Sequence, residues 1–174
     1  MSEPTSDGRE GRVPVEAAIC GLYCTGCSIF IASHEDPARL KVIADRWGVP
    51  VEQIHCDGCR STVRTPYCRE CTLFACATER GHDFCGECAD YPCERLREFQ
   101  AERPHRIELW RNLDRIRTAG VETWLEEMRE HYRCHSCSTI NSTYDAVCRR
   151  CGREPANAYV AEHKQAIAEA LSRL

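Results

Sequence analysis

Lysine is nearly absent from this chain, two residues against 21 arginines among 174, and ordinary apolar residues are scarce. Fifteen residues of the 43% counted as hydrophobic are cysteine, which leaves only about a third of the chain to build a conventional core. The length suits one full domain with a small module, or several small ones. Burial alone will not hold such a chain, so something else must contribute. Long apolar runs are missing too. Stretches such as Ile29–Ala32 are far too short to span a bilayer, which excludes a membrane partner of that kind. Met1 to Arg12 is polar and charged, without the apolar segment of a secretion signal, and residues 1–15 read as a disordered tail of a cytoplasmic protein. Nor is there an excess of one charge: 23 basic and 27 acidic residues give −4, which supplies no global attraction to nucleic acid.

What the chain has is thiols in pairs. Twelve cysteines form six C-x2-C pairs: Cys24/Cys27, Cys56/Cys59, Cys68/Cys71, Cys85/Cys88, Cys134/Cys137 and Cys148/Cys151, leaving Cys20, Cys76 and Cys93. An odd total and no secretion signal argue against a disulfide framework. Thiols two residues apart fit on one metal knuckle, and six such pairs in a short chain point to thiolates on metal.

The C-terminal set, Cys134-His-Ser-Cys137, ten residues, then Cys148-Arg-Arg-Cys151-Gly, has the shape of a zinc ribbon. The intervening Thr139, Ile140, Thr143, Tyr144 and Val147 are β-prone around a turn-prone Asn141-Ser142, which predicts a β ribbon over 133–154. Four protein ligands close a tetrahedral shell, so this site is expected to be structural, with His135 facing solvent.

Residues 60–76 and 77–93 align at a period of 17, placing Cys68 on Cys85, Cys71 on Cys88 and Cys76 on Cys93, with aromatic and glutamate positions matching. This reads as two copies of one metal-bound unit inside a cysteine-rich module over 16–103. The eleven thiols before residue 94 divide as four, four and three. One division groups Cys56, Cys59, Cys68 and Cys71, then Cys76, Cys85, Cys88 and Cys93. A crossed division joins Cys56/Cys59 to Cys85/Cys88 and Cys68/Cys71 to Cys76/Cys93. Both satisfy the counts.

The remaining trio, Cys20, Cys24 and Cys27, is either a site completed by His34, His55 or an outside ligand, or part of a shared cluster. Its C-x3-C-x2-C spacing also resembles that of radical S-adenosylmethionine enzymes. No succession of strand and helix units follows it, however, and Gly26 stands where an aromatic is usual.

Between the sulfurs lie helices. Asp36-Pro37 starts one that carries Leu40, Ile43 and Trp47 on one face and stops at Gly48; Asp90-Tyr91-Pro92 starts another, through Leu96 and Phe99, with Cys93 in its first turn. Ile107, Trp110, Leu113 and Ile116, then Val121, Trp124, Leu125, Met128 and Tyr132, predict a helical linker over 104–132, and residues 155–174 read as a final helix. Arg60, Arg64, Arg69 and Arg80 surround the central knuckles and Arg149 and Arg150 sit in the last, so phosphate contacts to nucleic acid are one possible use. Glu126, Glu127 and Glu130 beside the ribbon oppose it.

The order C-G-L-Y-C-T-G-C at 20–27, C-D-G-C at 56–59, the C-x2-C-x4-C repeats and D-Y-P-C-E-R-L at 90–96 resemble a family of cysteine-rich bacterial and archaeal proteins known as a domain of unknown function. The resemblance covers about residues 16–100. It implies zinc binding and no established reaction, and continuation through G-V-E-T-W-L-E-E at 120–127 into a C-terminal ribbon. Thr25-Gly26 stands where a more varied pair is expected and Ser28 where proline is common; neither removes a ligand.

The sequence thus reads as a small α+β, metal-stabilised protein: a multinuclear cysteine-knuckle module, a helical linker and a C-terminal β zinc ribbon. The expected ligands are all fifteen cysteines, the expected cofactor several zinc ions, with an iron–sulfur cluster in the N-terminal module as the alternative. With no catalytic base, phosphate loop or nucleophile triad in view, the function reads as a non-enzymatic adaptor or regulator with a protein partner. A redox or cluster-handling protein and a nucleic-acid-binding ribbon are the alternatives.

Overall fold

The computed structural model describes residues 13–173. The expected disordered tail lies outside these up to residue 12. From Val13 the chain is placed: Val13 packs on the core, and the Ala17 N–H donates to the Pro14 carbonyl at 3.0 Å.

Among the described residues the regular structure is helical. Nine α-helices and three short 3-10 turns are joined by loops, and β pairing is limited to two isolated antiparallel bridges, Ala17 with Tyr23 and Arg133 with Ile140. The α+β class and the β ribbon expected from sequence are therefore wrong. The β-prone residues of 138–147 make no ladder because polar side chains fold that segment into turns. The Ser142 N–H donates to Asp145 Oδ2 at 2.7 Å and the Tyr144 N–H to Ser142 Oγ at 3.2 Å. Such local side-chain bonds compete directly with strand pairing. Asn141 and Ser142, expected as the turn of the ribbon, are fully buried.

Helices α1 (Ser28–Glu35), α2 (Pro37–Trp47) and α3 (Val51–Ile54) form a small corner around Ala32, Leu40, Ala44 and Ile54. The start and stop of α2 follow its sequence signals. Asp36 accepts the Arg39 N–H at 3.0 Å as N-cap, and Gly48 closes the helix at φ 66°, a left-handed conformation that favours glycine. Trp47, placed by its spacing with Leu40 and Ile43, is 43% exposed instead, because α2 ends there and its last turn passes beyond the corner.

Helices α4 (Pro66–Arg69) and α5 (Thr72–Glu79) carry the first copy of the repeat; the second is a 3-10 turn, Cys85–Glu87, followed by α6 (Glu94–Ala101). The copies differ from their first cysteine, Cys68 lying in an α-helix and Cys85 in a 3-10 turn, and differ most at the last. Cys76 sits inside α5, whereas Cys93 is the N-cap of α6, because Pro92 has no N–H to continue a helix through the corresponding positions.

The segment read as a linker carries the centre of the core. Helices α7 (Leu109–Ala119) and α8 (Val121–Tyr132) bury Leu109, Leu113, Ile116, Trp124, Leu125, Met128 and Tyr132. Ala17, Ala18 and Tyr23 pack against this face from one side, and Tyr159, Val160 and Ile167 of α9 (Ala158–Leu171) from another. Each fully buried side chain of this size contributes about 1.5–3 kcal/mol, so this cluster is the main apolar source of stability. Tyr132 lies so close to the Cys24–Cys27 knuckle that a Cβ on Gly26 would sit 2.6 Å from its Cε1. A polar tie crosses the same helices. Glu108 Oε1 accepts His131 Nε2 at 2.9 Å, His163 Nε2 at 2.7 Å and Arg111 Nη2 at 2.7 Å.

Candidate metal centre

Two tight turns present the C-terminal sulfurs. In the first, the Ser138 N–H returns to the Cys134 carbonyl at 2.8 Å and the Cys134 N–H donates to Thr139 O at 2.9 Å. In the second, the Gly152 N–H returns to Cys148 O at 2.9 Å and the Cys148 N–H donates to Arg153 O at 2.8 Å, with Gly152 at φ 74°. These turns bring Cys134, Cys137, Cys148 and Cys151 together with all four sulfurs within 4.8 Å of one another. The Cys134–Cys151 and Cys137–Cys148 sulfur pairs are both 3.6 Å apart. Four thiolates about 2.3 Å from one tetrahedral ion stand about 3.8 Å apart, so the set has the size of a single ion's shell.

The surroundings favour thiolates. Burial raises Cys148, but the amides of Cys151 and Arg150 and the Asn141 carboxamide outweigh it and bring the thiol down to about 6. The Arg153 amide lowers Cys151, yet the sulfurs of Cys137, Cys134 and Cys148 push it up to about 12. Neighbouring sulfurs thus raise one another's thiols, a repulsion that a central cation relieves. Asn141 braces the centre from behind, donating to Thr139 O at 2.9 Å, Ala156 O at 3.3 Å and Cys148 Sγ at 3.5 Å while accepting the Arg149 N–H at 3.0 Å. His135 is exposed and outside the set.

The loop between these knuckles fastens the centre to the N-terminal corner. Arg39 pairs with Asp145 at 3.0 Å, Ser28 Oγ donates to Ser142 Oγ at 3.0 Å, and Arg149 pairs with Glu35.

The eleven N-terminal thiols are arranged differently. None belongs to a group whose ligand atoms all lie within 4.8 Å. They are nonetheless mutual neighbours. Burial raises Cys20 well above the usual thiol range, and Cys59, Cys85 and Cys71 raise it further. Cys24 is raised by burial and by Cys59, Cys27 and Cys56, and Cys59 is pushed to about 11 by burial with Cys68 and Cys71 adding to it. Cys59 thus acts on both Cys20 and Cys24. Cys76, Cys85, Cys88 and Cys93 line one cleft of about 420 Å³, the second set of the in-order division. There Arg80 donates to Cys88 Sγ at 3.3 Å and to Asp90 at 2.6 Å. Burial and then Cys93, Cys71, Cys76 and Cys88 push Cys85 up to about 12.

Neither histidine proposed to complete the trio does so: His34 and His55 meet at Asp57. Glu108, His131 and Glu162 also converge, but the Arg111 guanidinium, 2.7 Å from Glu108 and 3.5 Å from Glu162, already supplies the cation there.

Sequence reasoning missed Asn141, taken for a turn residue, and Asp57, whose role depends on two histidines 21 residues apart. The one local signal for Asn141 was its place between two knuckles.

Residues 16–98 match the model of a family described as "Protein of unknown function (DUF3795)". The match covers the cysteine-rich stretch and stops well short of the four-thiolate centre. No curated protein and no solved structure gives a significant match to the chain. No helix among the described residues is long and apolar enough to cross a membrane.

Proposed function

We propose that the chain is a non-enzymatic, multinuclear metal-binding protein of the cytoplasm that serves as an adaptor or regulatory module for a protein partner. Zinc occupies the four-thiolate centre as a structural ion, and further zinc is held among the eleven N-terminal thiols. The observation that carries the reading is the convergence of the Cys134, Cys137, Cys148 and Cys151 sulfurs within 4.8 Å. Metal ligation there substitutes for apolar packing, which around these sulfurs is limited to Ala156, with a contribution on the order of 10 kcal/mol. Exposed Val42 and Trp47 on α2 offer apolar surface to a partner. Several arginines that could serve nucleic acid are engaged within the chain. Arg60 donates to Ala17 O and stacks on Phe84, Arg64 stacks on Phe74, and Arg149 donates to Ile140 O.

One observation favours an iron–sulfur cluster in the N-terminal module as a second reading. Cys76, Cys85, Cys88 and Cys93 ring a cleft without closing to single-ion spacing, as a polynuclear cluster requires. Protein purified without oxygen decides between them by metal analysis and absorption. Colourless, zinc-loaded protein that loses one zinc equivalent on Cys148→Ser supports the first reading. Brown protein containing iron and sulfide supports the second for the N-terminal module. Unchanged metal content in Cys148→Ser refutes the four-thiolate assignment.

A further inference from the structure

Beside the thiols, three donors from two segments meet at the surface. His34 lies in the last turn of α1, His55 caps the end of α3, and Asp57 follows in the loop toward Gly58. The Nε2 atoms of His55 and His34 are 2.9 Å and 3.3 Å from the same oxygen, Asp57 Oδ1, and the three ligand atoms lie within 4.8 Å of one another. Two nitrogen or oxygen donors sharing a tetrahedral ion at about 2.1 Å stand about 3.4 Å apart, so this triangle has the dimensions of one face of a coordination shell. A hydrogen bond accounts for one imidazole on a carboxylate. The same oxygen can accept a second imidazole, as Glu108 Oε1 does from His131 and His163, but there the charge of Arg111 also stands among the donors.

The fold fixes all three positions. The Cys56 N–H donates to Ser33 Oγ at 3.0 Å, which ties the segment after α3 to the end of α1. Ile54 and Ala32 beneath are fully buried, and the Phe30 ring lies 4.4 Å from that of His34. The Asp57 N–H donates to Val63 O at 3.0 Å. Gly58 at φ 109° brings the loop against Val15, whose carbonyl oxygen would be 2.5 Å from a Cβ there. Among the described residues the ion pairs of Asp57 are with the two histidines, whereas at Glu108 an arginine stands among the donors.

We propose that His34, His55 and Asp57 form a surface site for a borderline first-row divalent cation such as zinc, with at least one coordination position open to water or an outside ligand. Two imidazoles with one carboxylate favour such ions over magnesium or calcium, which prefer all-oxygen shells. The side chains are 40%, 38% and 37% exposed, so the outer hemisphere of the ion faces solvent. The ion exchanges with solution and can bridge to a donor on another molecule, which the closed four-thiolate centre cannot do. Cys56 lies between His55 and Asp57, so the thiol sites are filled before this one is titrated.

The test uses the full chain with its thiol sites first loaded with zinc and excess metal removed, then titrated with cobalt(II). We expect one additional equivalent with weak ligand-field absorption, no sulfur-to-cobalt charge-transfer band, and imidazole ligation by X-ray absorption. Asp57→Asn and His34→Gln should each weaken that equivalent at least about 100-fold, more than the loss of a supporting contact causes. Zinc content and melting temperature should stay as in the parent. His34→Gln keeps the test sound if Asp57→Asn disturbs the neighbouring Cys56. Wild-type protein that takes up no further cobalt, uptake accompanied by a sulfur charge-transfer band, or equal uptake by both variants would each overturn the proposal.

Discussion

Replacing Asn141 with alanine removes a side chain that makes four hydrogen bonds from a fully buried position. The Ala156 carbonyl loses its donor and the Arg149 N–H its acceptor, whereas the Thr139 carbonyl keeps the Cys134 N–H. A buried group left without its partner costs about 1–3 kcal/mol. Taking the lower end for the carbonyl and the middle for the N–H gives a loss of about 3 kcal/mol. The fourth bond runs to Cys148 Sγ at 3.5 Å and helps hold that sulfur as a thiolate. Removing a group that supports a ligand typically costs about 10–100-fold in metal affinity. Two measurements separate these effects: competition against a chromophoric chelator reads the affinity, and thermal unfolding at fixed free metal reads the stability. Asn141→Asp sharpens the comparison. It keeps the volume but replaces the donor with a negative charge beside four sulfurs, so it should weaken metal binding more than alanine does. If Asn141→Ala binds metal as tightly as the parent and loses less than about 1 kcal/mol, the brace is not what holds the centre.

Two further outcomes follow from the packing and the buried charges. Gly26→Ala should destabilise by about 1–3 kcal/mol, because the new methyl meets the buried Tyr132 ring; an unchanged melting temperature would contradict that contact. Stability should also fall in acid through two groups. Burial, with Arg106 and Arg103 adding to it, pushes His105 down to about 3, so below about pH 6.5 the unfolded chain takes a proton that the folded chain refuses, and stability drops until about pH 3. Burial raises Glu108, but the bonds from His131 and His163 and the charge of Arg111 hold its carboxyl low, so its contribution is present above the ordinary carboxylate range and lost as pH falls through the folded value. A His105→Gln variant should flatten the upper part of the melting-temperature profile; a profile parallel to the parent's would refute the assignment to His105.

The sequence made some of this legible because the signals were local. The cap at Asp36-Pro37 and the stop at Gly48 depend on residues a few positions apart, and the C-x2-C knuckles at 134–137 and 148–151 carry their geometry in their own turns. What escaped depends on distant partners. Thr139, Ile140 and Tyr144 have β propensity, but that propensity reflects packing on a pleated surface that the neighbouring polar bonds prevent from forming. Gly26 looked like a missing aromatic until Tyr132, 106 residues on, occupied the space above it. The 17-residue period was plain in the cysteines, yet one proline sends the last cysteines of its copies into different local structure.

The packing of Ala17, Ala18 and Tyr23 on α7 and α8 separates two kinds of boundary. The stretch that matches a family model ends at residue 98, whereas its apolar face is covered by Leu109, Leu113, Trp124 and Tyr132, all beyond that point. Gly21 and Gly26 have no side chain where Leu113 and Tyr132 press against them, so this stretch is shaped to receive a cover that it does not encode. The stretch that matches is thus smaller than the unit that folds. In this chain two helices supply the cover; a protein that carried only the matched stretch would have to obtain an equivalent surface from another chain.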